Sequence, residues 1–196
     1  MKTVHFQDLG YIDYQSCWDY QEKLLKKIIS TKTELKTSNS ELGTRNSELR
    51  TQNHLLFCEH PHVYTLGKSG TENNLLANSE RLKALNATYI KTNRGGDITY
   101  HGPGQVVGYP ILDLEHFFTD ITRYMRSLEE VIILCLRDFG IESGRLAGST
   151  GVWIEPEKPH RARKICAMGV RTSRWVTMHG WALNVNSDLN YFNFIV

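Results

Sequence analysis

The chain has 196 residues, of which 40% are hydrophobic and 22% are charged, and this fits one globular domain with a full core. The formal net charge of +2 is too small to indicate a partner by bulk electrostatics. No apolar run approaches the roughly 20 residues of a membrane span, and the N-terminal stretch MKTVHFQDLGYIDY lacks the apolar core of a signal peptide. The cysteines form no CxxC pair, so we interpret them as free thiols of a cytoplasmic protein.

The first predicted elements are a strand and a helix. TVHFQDL alternates weakly and predicts a strand, and apolar residues recur at helical spacing from Trp18 until about Ser30. Residues 33–53 then repeat one heptad three times, as TELKTSN, SELGTRN and SELRTQN. Each copy holds one leucine, whereas a coiled coil needs two apolar residues per heptad. We therefore expect 31–53 to be a low-complexity insertion without chemistry, either a mobile surface segment or a ragged helix extension.

The rest of the chain predicts many strands and few helices. LLFCEHPHVYTLG predicts two strands or a hairpin, residues 79–87 a short helix, and TYIKT and VVGYPILDL two further strands. Asp120 can cap a helix that ends at Gly140. Strands are predicted around GVWIE, KICAMGV and WVTMHGWALNV. Because no regular βαβ alternation is present, the predicted fold class is α+β (mixed α/β), a largely antiparallel sheet packed with helices.

The segment RGGDITYHGPGQ, residues 94–105, is rich in glycine. Glycine belongs where the backbone turns sharply or approaches something closely. The pattern is neither GxxxxGK[ST] nor a GxGxxG between strand and helix, which disfavours a nucleotide-phosphate site. A simple turn whose polar residues bond their own backbone would not need Arg94, Asp97 and His101 so close together. We therefore expect this segment to approach a ligand.

The remaining polar candidates are histidines, a lysine and a cysteine. His60 and His62 flank Pro61, and nothing has the spacing of zinc ligands, so we expect no metal. Lys164 and Cys166 would share a face on a strand, and a cation beside a thiol favours the nucleophilic thiolate. Spacing alone nevertheless favours a surface lysine and a small core cysteine.

The sequence around Lys164 is locally basic. Such a run is typical of a solvated face, a nucleic-acid patch or a dock for an acidic protein, and no interleaved aromatic residues support nucleic acid. The run consists of Lys158, His160, Arg161, Arg163, Lys164, Arg171 and Arg174.

Three separated segments resemble one known family. EHPHVYTLGKSG, RGGDITYHGPGQVVGYPILDL and KICAMGVRTSRWVTMHGWALNV resemble, in this order, the lipoyl(octanoyl) transferases of lipoate biosynthesis. The resemblance covers nearly the whole chain except the heptads, so it implies a single catalytic domain over residues 1–196 with the biotin and lipoate ligase fold. The RRxSGGGAVYHD motif of lipoate ligases and the GRGRxGRxW motif of biotin ligases are absent, which argues against ATP-driven acyl activation.

The resemblance implies an acyl transfer without a cofactor. An octanoyl group arrives as a thioester on acyl carrier protein, and a cysteine takes it as an acyl-enzyme. A lysine of an apo lipoyl domain, in 2-oxoacid dehydrogenases or the glycine cleavage H protein, then receives it as an amide, with no nucleic acid or membrane involved. The family's activating lysine matches Lys164. Its acyl-binding residues match Arg94, Gly95, Gly96, Asp97, Ile98, Thr99, Tyr100, His101, Ala167, Met168, Gly169, Gly180, Trp181 and Ala182.

The family's nucleophile lies in a Pro-Cys-Gly motif that follows a segment matching DLNYFNFIV, residues 188–196. We therefore expect the nucleophilic cysteine just beyond Val196, in a C-terminal segment that this sequence does not include. One alternative is a non-catalytic relative that binds acyl groups or lipoyl domains. Others are a substitution by Cys166, where the family usually has a small apolar residue, and an ATP-dependent lipoate or biotin ligase.

Overall fold

The computed structural model describes residues 3–41 and 51–196 of the chain. Its strands are β1 (Val4–Tyr11), β2 (Asn53–Glu59), β3 (Val63–Leu66), β4 (Thr88–Lys91), β5 (Ile98–His101), β6 (Gln105–Ile111), β7 (Val152–Ile154), β8 (Arg163–Ser173) and β9 (Val176–Asn184). Its α-helices are α1 (Tyr14–Glu41), α2 (Ser79–Ala84) and α3 (Ile121–Asp138). Short 3₁₀ helices cover Glu72–Asn74, Leu114–His116 and Leu189–Phe194.

The strands form two sheets. The larger has the order β1-β2-β6-β9-β8-β7, and its neighbours are antiparallel except for β1 with β2. The smaller has the order β4-β3-β5, with β3 parallel to β4 and antiparallel to β5. The predicted class, α+β with a largely antiparallel sheet packed with helices, is confirmed.

Helices α1 and α3 cover opposite faces of the larger sheet. Successive side chains of a strand point to opposite faces of the sheet. The buried side chains accordingly form two separate clusters, one on each face. In the first cluster, Leu25 and Ile28 of α1 pack with Met178 of β9. In the second, Leu128 of α3 packs with Trp181 of the same strand. The sheet therefore has an apolar layer on each side.

Helix α3 begins and ends where its sequence predicts. The Asp120 side chain accepts a hydrogen bond from the Arg123 amide at 2.9 Å, which satisfies one free donor of the first turn. Gly140 follows the helix with a φ of 74°, a left-handed conformation that glycine adopts without strain.

Helix α1 is longer than its sequence predicts. We expected it to end near Ser30, but it continues to Glu41 and includes the first heptad, so the ragged-extension alternative applies up to that residue; residues 42–50 lie outside the described part of the chain. The buried ammonium of Lys32 lies 2.7 Å from the Asp113 carboxylate, a long-range contact that weak local propensity does not predict. Although α1 is long, no helix within the described ranges has the length and apolar character needed to cross a membrane.

Strands β2 and β3 do not form a hairpin, so one of the two predicted alternatives is wrong. β2 pairs with β1 and β6 in the larger sheet, whereas β3 pairs with β4 and β5 in the smaller. His60 lies in the turn between them and anchors it, because its ring contacts the Ile12 carbonyl and the Tyr109 hydroxyl at 2.8 Å each. The turn therefore carries the chain from one sheet to the other.

Candidate active site

A cavity of about 300 Å³ lies between the glycine-rich segment and strands β8 and β9, at the small end of the range for small-molecule sites. It brings together all the predicted acyl-binding residues except Gly95 and Tyr100, and it also includes Lys164. Its other lining residues are Tyr14, Tyr109, Ser149, Thr150, His179 and Val196.

The two predicted residues outside the cavity lining have other contacts. The Gly95 amide donates to the Val170 carbonyl at 2.9 Å, which joins the glycine-rich segment to β8. The Tyr100 ring is buried and its hydroxyl lies 2.7 Å from His62 Nδ1. It also stacks on Tyr191 with ring centroids 4.8 Å apart. Gly95 and Tyr100 therefore support the cavity from behind its wall.

Glycines allow the segments around the cavity to approach closely. A Cβ atom on Gly169 would lie 2.7 Å from the Gly95 carbonyl oxygen, and one on Gly67 would overlap the Gly96 carbonyl. Gly96 itself has a φ of 85°, where other residues are strained. The glycine-rich segment is thus pressed against β8 and the end of β3, and this contact shapes the cavity.

Arg94 places a buried guanidinium in the cavity wall. Its Nη2 atom donates to the Thr65 carbonyl and hydroxyl, at 2.5 and 3.0 Å, and Nη1 donates to the Gly95 carbonyl at 3.0 Å. Its Nε atom has no partner within the described ranges, and none of the described carboxylates pairs with it. Burial lowers the pKa of Arg94, but an arginine stays protonated in proteins. The wall therefore carries a positive charge.

His179 is neutral and held by a defined hydrogen-bond chain. The Asn93 amide donates to Glu22 at 3.2 Å, so its oxygen accepts from His179 Nε2 at 2.7 Å, and the buried Nδ1 atom has no partner within residues 3–41 and 51–196. Burial lowers the pKa of His179 to about 3, and the Arg94 and Arg171 charges add to this. Burial also lowers the pKa of His101 well below its usual value.

We expect His179 to make stability depend on pH. The unfolded chain binds a proton at this residue near the usual pKa of 6.5, and the folded chain only near 3. The stabilisation is therefore complete above pH 6.5 and is lost as pH falls towards 3. His179→Asn, which tolerates the left-handed φ of 58°, should reduce the slope of unfolding free energy against pH by up to about 1.4 kcal/mol per unit.

Urea unfolding between pH 7 and pH 4 measures this slope. Only the slope is compared, because the substitution also removes ring contacts such as that with Trp18. The exposed residue His160 provides the control, and His160→Asn should keep the wild-type slope. An equally steep slope in His179→Asn would contradict the assignment.

Lys164 lies at the outer wall of the cavity. The ammonium lies 4.8 Å from the centre of the Trp153 ring, and none of the described carboxylates forms a salt bridge with it. Burial of the ammonium group lowers the pKa of Lys164, although the residue as a whole is exposed. A lysine with a lowered pKa can accept and return a proton more readily than a free one.

The cysteines of the described chain do not supply a nucleophile beside Lys164. Cys166 is fully buried in the cluster under α3, and burial raises the pKa of its thiol, so the space-filling interpretation fits its surroundings.

Cys17, Cys58 and His60 place three possible metal-binding atoms within 4.8 Å of one another. Both nitrogens of His60 already contact protein oxygens, and we assign this buried cluster no metal.

The basic run near the cavity is largely paired. Glu155 binds three of its side chains at 2.9 to 3.1 Å, those of Lys158, Arg161 and Arg163. Arg171 pairs with Glu22 across the fold. A dock for an acidic protein, one of the three alternatives for this run, would therefore present fewer unpaired basic side chains than the sequence indicates.

Comparisons with known proteins agree with the motif order. Residues 13–196 match the family model described as the lipoyl protein ligase A/B catalytic domain. A protein of Flavobacterium johnsoniae named Octanoyltransferase is 60% identical over 202 residues, which cover 100% of this chain and 81% of that protein. One of the same name from Cytophaga hutchinsonii is 57% identical over 195 residues, covering 100% of this chain and 78% of that protein.

Solved structures show the same fold. The chain superposes on a bi-partite lipoate protein ligase from Thermoplasma acidophilum with a TM-score of 0.68 and 15% identity, covering 100% of this chain and 66% of that one. At this identity the likeness concerns the fold alone. It agrees with the predicted ligase-like architecture.

Proposed function

This chain belongs to the octanoyltransferase family of lipoyl protein ligase A/B catalytic domains, and from that premise we propose how its cavity works. As a family member it is an acyltransferase of protein lipoylation. We propose that the donor is octanoyl-acyl carrier protein, that a cysteine carries the acyl group as a thioester, and that a lysine of an apo lipoyl domain receives it. One observation carries this proposal: a single cavity holds Lys164, the glycine-rich segment and Val196.

The acyl chain is proposed to lie along the apolar wall of the cavity, against Ile98, Met168 and Trp181. The thioester carbonyl then faces the glycine-rich segment. Among the described residues, the Gly96 and Asp97 amides donate to no protein acceptor. Free amides aimed at a developing oxyanion lower the barrier of acyl transfer, because they stabilise charge that appears only in the transition state.

Lys164 is proposed to move the protons of both half-reactions. It takes the proton of the cysteine thiol, and the thiolate attacks the thioester carbon. The new carbon–sulfur bond forms, the bond to the carrier thiol breaks, and the leaving thiolate takes the proton back from the ammonium. In the second half, the acceptor amine attacks the acyl carbon of the acyl-enzyme, so the carbon–nitrogen bond forms and the carbon–sulfur bond to the cysteine breaks. The amine proton passes through Lys164 to the departing cysteine thiolate.

The nucleophile is proposed to be the cysteine of a Pro-Cys-Gly motif following Val196. Val196 lines the same cavity as Lys164, and its amide donates to the Asn74 carbonyl at 3.0 Å. A residue soon after Val196 would therefore lie near the cavity wall. The acyl-binding roles of the twelve cavity residues matched to the family, from Arg94 to Ala182, belong to the same proposal.

Intact mass spectrometry of the full-length protein tests this proposal. After mixing with octanoyl-acyl carrier protein, we expect one octanoyl adduct that hydroxylamine removes and that peptide mapping places on the Pro-Cys-Gly cysteine. Adding an apo lipoyl domain should transfer the group to its lysine. An adduct that requires free octanoate and ATP instead would overturn the thioester mechanism and support a ligase.

A further inference from the structure

We propose that Asn74 is a positioning residue that fixes the chain around Val196 relative to the glycine-rich segment. The inference rests on the proposed function, because it concerns how the nucleophile reaches the acyl carbonyl. Asn74 touches neither substrate nor reacting atoms in this proposal. It acts through the two segments that it joins.

The Asn74 backbone holds the end of the described chain. Its carbonyl accepts a hydrogen bond from the Val196 amide at 3.0 Å. Beside it, the Leu76 amide donates to the Phe194 carbonyl at 2.9 Å, and Leu75 forms a β-bridge with Ile195. Residues 194–196 thus run antiparallel to residues 74–76 as a two-stranded ribbon, and the ribbon ends at the cavity wall.

The Asn74 side chain holds the glycine-rich segment. Its Nδ2 atom donates to Asp97 Oδ2 at 2.6 Å, while Asp97 Oδ1 accepts from the Ile98 amide at 2.6 Å. The Asp97 carbonyl also accepts from the Gly67 amide at 3.2 Å. Asp97 and Val196 both line the cavity. Asn74 is therefore hydrogen-bonded both to the segment that leads to the proposed nucleophile and to the segment that carries the free amides.

These bonds suit positioning better than stabilisation. The Asn74–Asp97 hydrogen bond is solvent-exposed, and exposed hydrogen bonds contribute little to the free energy of unfolding because water replaces them. Acyl transfer is far more sensitive, since a misplacement of about 1 Å can reduce a rate on the order of 10²-fold. Loss of this bond should therefore reduce the rate of the chemical step much more than stability.

Single-turnover acylation of the full-length protein by octanoyl-acyl carrier protein tests the inference. Asn74→Ala should slow acyl-enzyme formation by roughly 10- to 100-fold, and the donor concentration at half-maximal rate should change by less than about twofold, because uniform binding is retained. Thermal unfolding should be close to wild type. The side chain of the neighbouring exposed Asn73 takes no part in the bonds that Asn74 makes with Thr71 and Asp97, and Asn73→Ala is the matched control, with a wild-type rate.

A swapped pair tests whether the loss of rate arises at the Asn74–Asp97 contact itself. Asn74→Asp alone faces Asp97 with a like charge and should be the slowest variant. When Asn74→Asp is combined with Asp97→Asn, the hydrogen-bond donor and acceptor exchange places, and the Ile98 amide keeps its acceptor. The rate of acyl-enzyme formation in this double variant should be at least tenfold higher than in Asn74→Asp. A defect that arises elsewhere than at the Asn74–Asp97 contact would not be repaired by this exchange.

The outcomes are distinguishable. A wild-type rate in Asn74→Ala, a loss explained by its unfolded fraction, or no recovery in the swapped pair would each overturn the positioning role while leaving the wild-type adduct intact. Absence of an octanoyl adduct in the wild-type protein would instead refute the proposed function and this inference with it.

Discussion

Lys164→Ala is expected to lower octanoyl transfer by about 10²- to 10⁴-fold, the range of a lost general acid–base group, without destabilising the fold. The ammonium forms no salt bridge with any described carboxylate, and it lies over the Trp153 ring, 4.8 Å from the ring centre. An exposed cation–π contact contributes only about 0.5–1 kcal/mol. The rate of acyl-enzyme formation, followed by intact mass, and the thermal unfolding temperature are the two measurements.

Two variants sharpen the interpretation of Lys164. Lys164→Arg keeps the positive charge but cannot release a proton, since arginine stays charged, so it should be nearly as slow as Lys164→Ala. The neighbouring Arg163 is exposed and pairs with Glu155, and Arg163→Ala should transfer at the wild-type rate. Full activity in Lys164→Arg would show that the residue supplies charge alone, and full activity in Lys164→Ala would remove it from the mechanism.

Gly169→Val is expected to abolish acyl-enzyme formation, with a loss greater than about 100-fold, comparable to a reacting group displaced by 1 Å. Even a Cβ atom at this position would lie 2.7 Å from the Gly95 carbonyl oxygen and 3.4 Å from Arg94 Cδ. The glycine-rich segment would have to move away from β8, and the added methyl groups would fill part of the cavity. Overpacking of this kind costs about 1–3 kcal/mol.

The effect of Gly169→Val on the site is separated from its effect on stability by a control in the same strand. Thr172 pairs with Thr177 between β8 and β9, and Thr172→Val keeps the side-chain shape at a distance from the cavity lining. It should remain active. Rates are compared at a temperature where urea titration shows both variants folded. A folded Gly169→Val protein that acylates at the wild-type rate would show that the acyl group binds elsewhere.

The fold class was predictable from the sequence because most elements are encoded locally. Asp120 and Gly140 mark the two ends of α3, and their capping depends only on nearby backbone. The glycine-rich segment was predicted to approach a ligand from its glycines and the closeness of Arg94, Asp97 and His101, and in the structure it lines the cavity. The roles of the individual residues in this segment were less predictable. Gly95 and Tyr100 lie outside the cavity lining, because Gly95 bonds to β8 and Tyr100 packs against Tyr191 behind the cavity wall.

Other features depend on partners that are distant in sequence. Tyr14 and Tyr109 line the cavity, although in the sequence Tyr14 precedes the predicted helix and Tyr109 lies inside a predicted strand. The basic run shows only positive charges in the sequence, but in the fold the single Glu155 carboxylate forms ion pairs with three of its side chains. A short motif in the sequence carries no information about such pairs.

By itself, the sequence determined the α+β class, the capped helix α3, the order of the three family segments and hence the octanoyltransferase relationship. These depend on local periodicity, on capping and on the identity of residues in short motifs. Only the tertiary structure decided that β2 and β3 enter different sheets, that α1 continues past Lys32 to Glu41, and that Asn74 joins Asp97 to Val196. Each of these depends on hydrogen bonds or ion pairs between residues far apart in the chain, whose free energy exists only once the fold has brought them together.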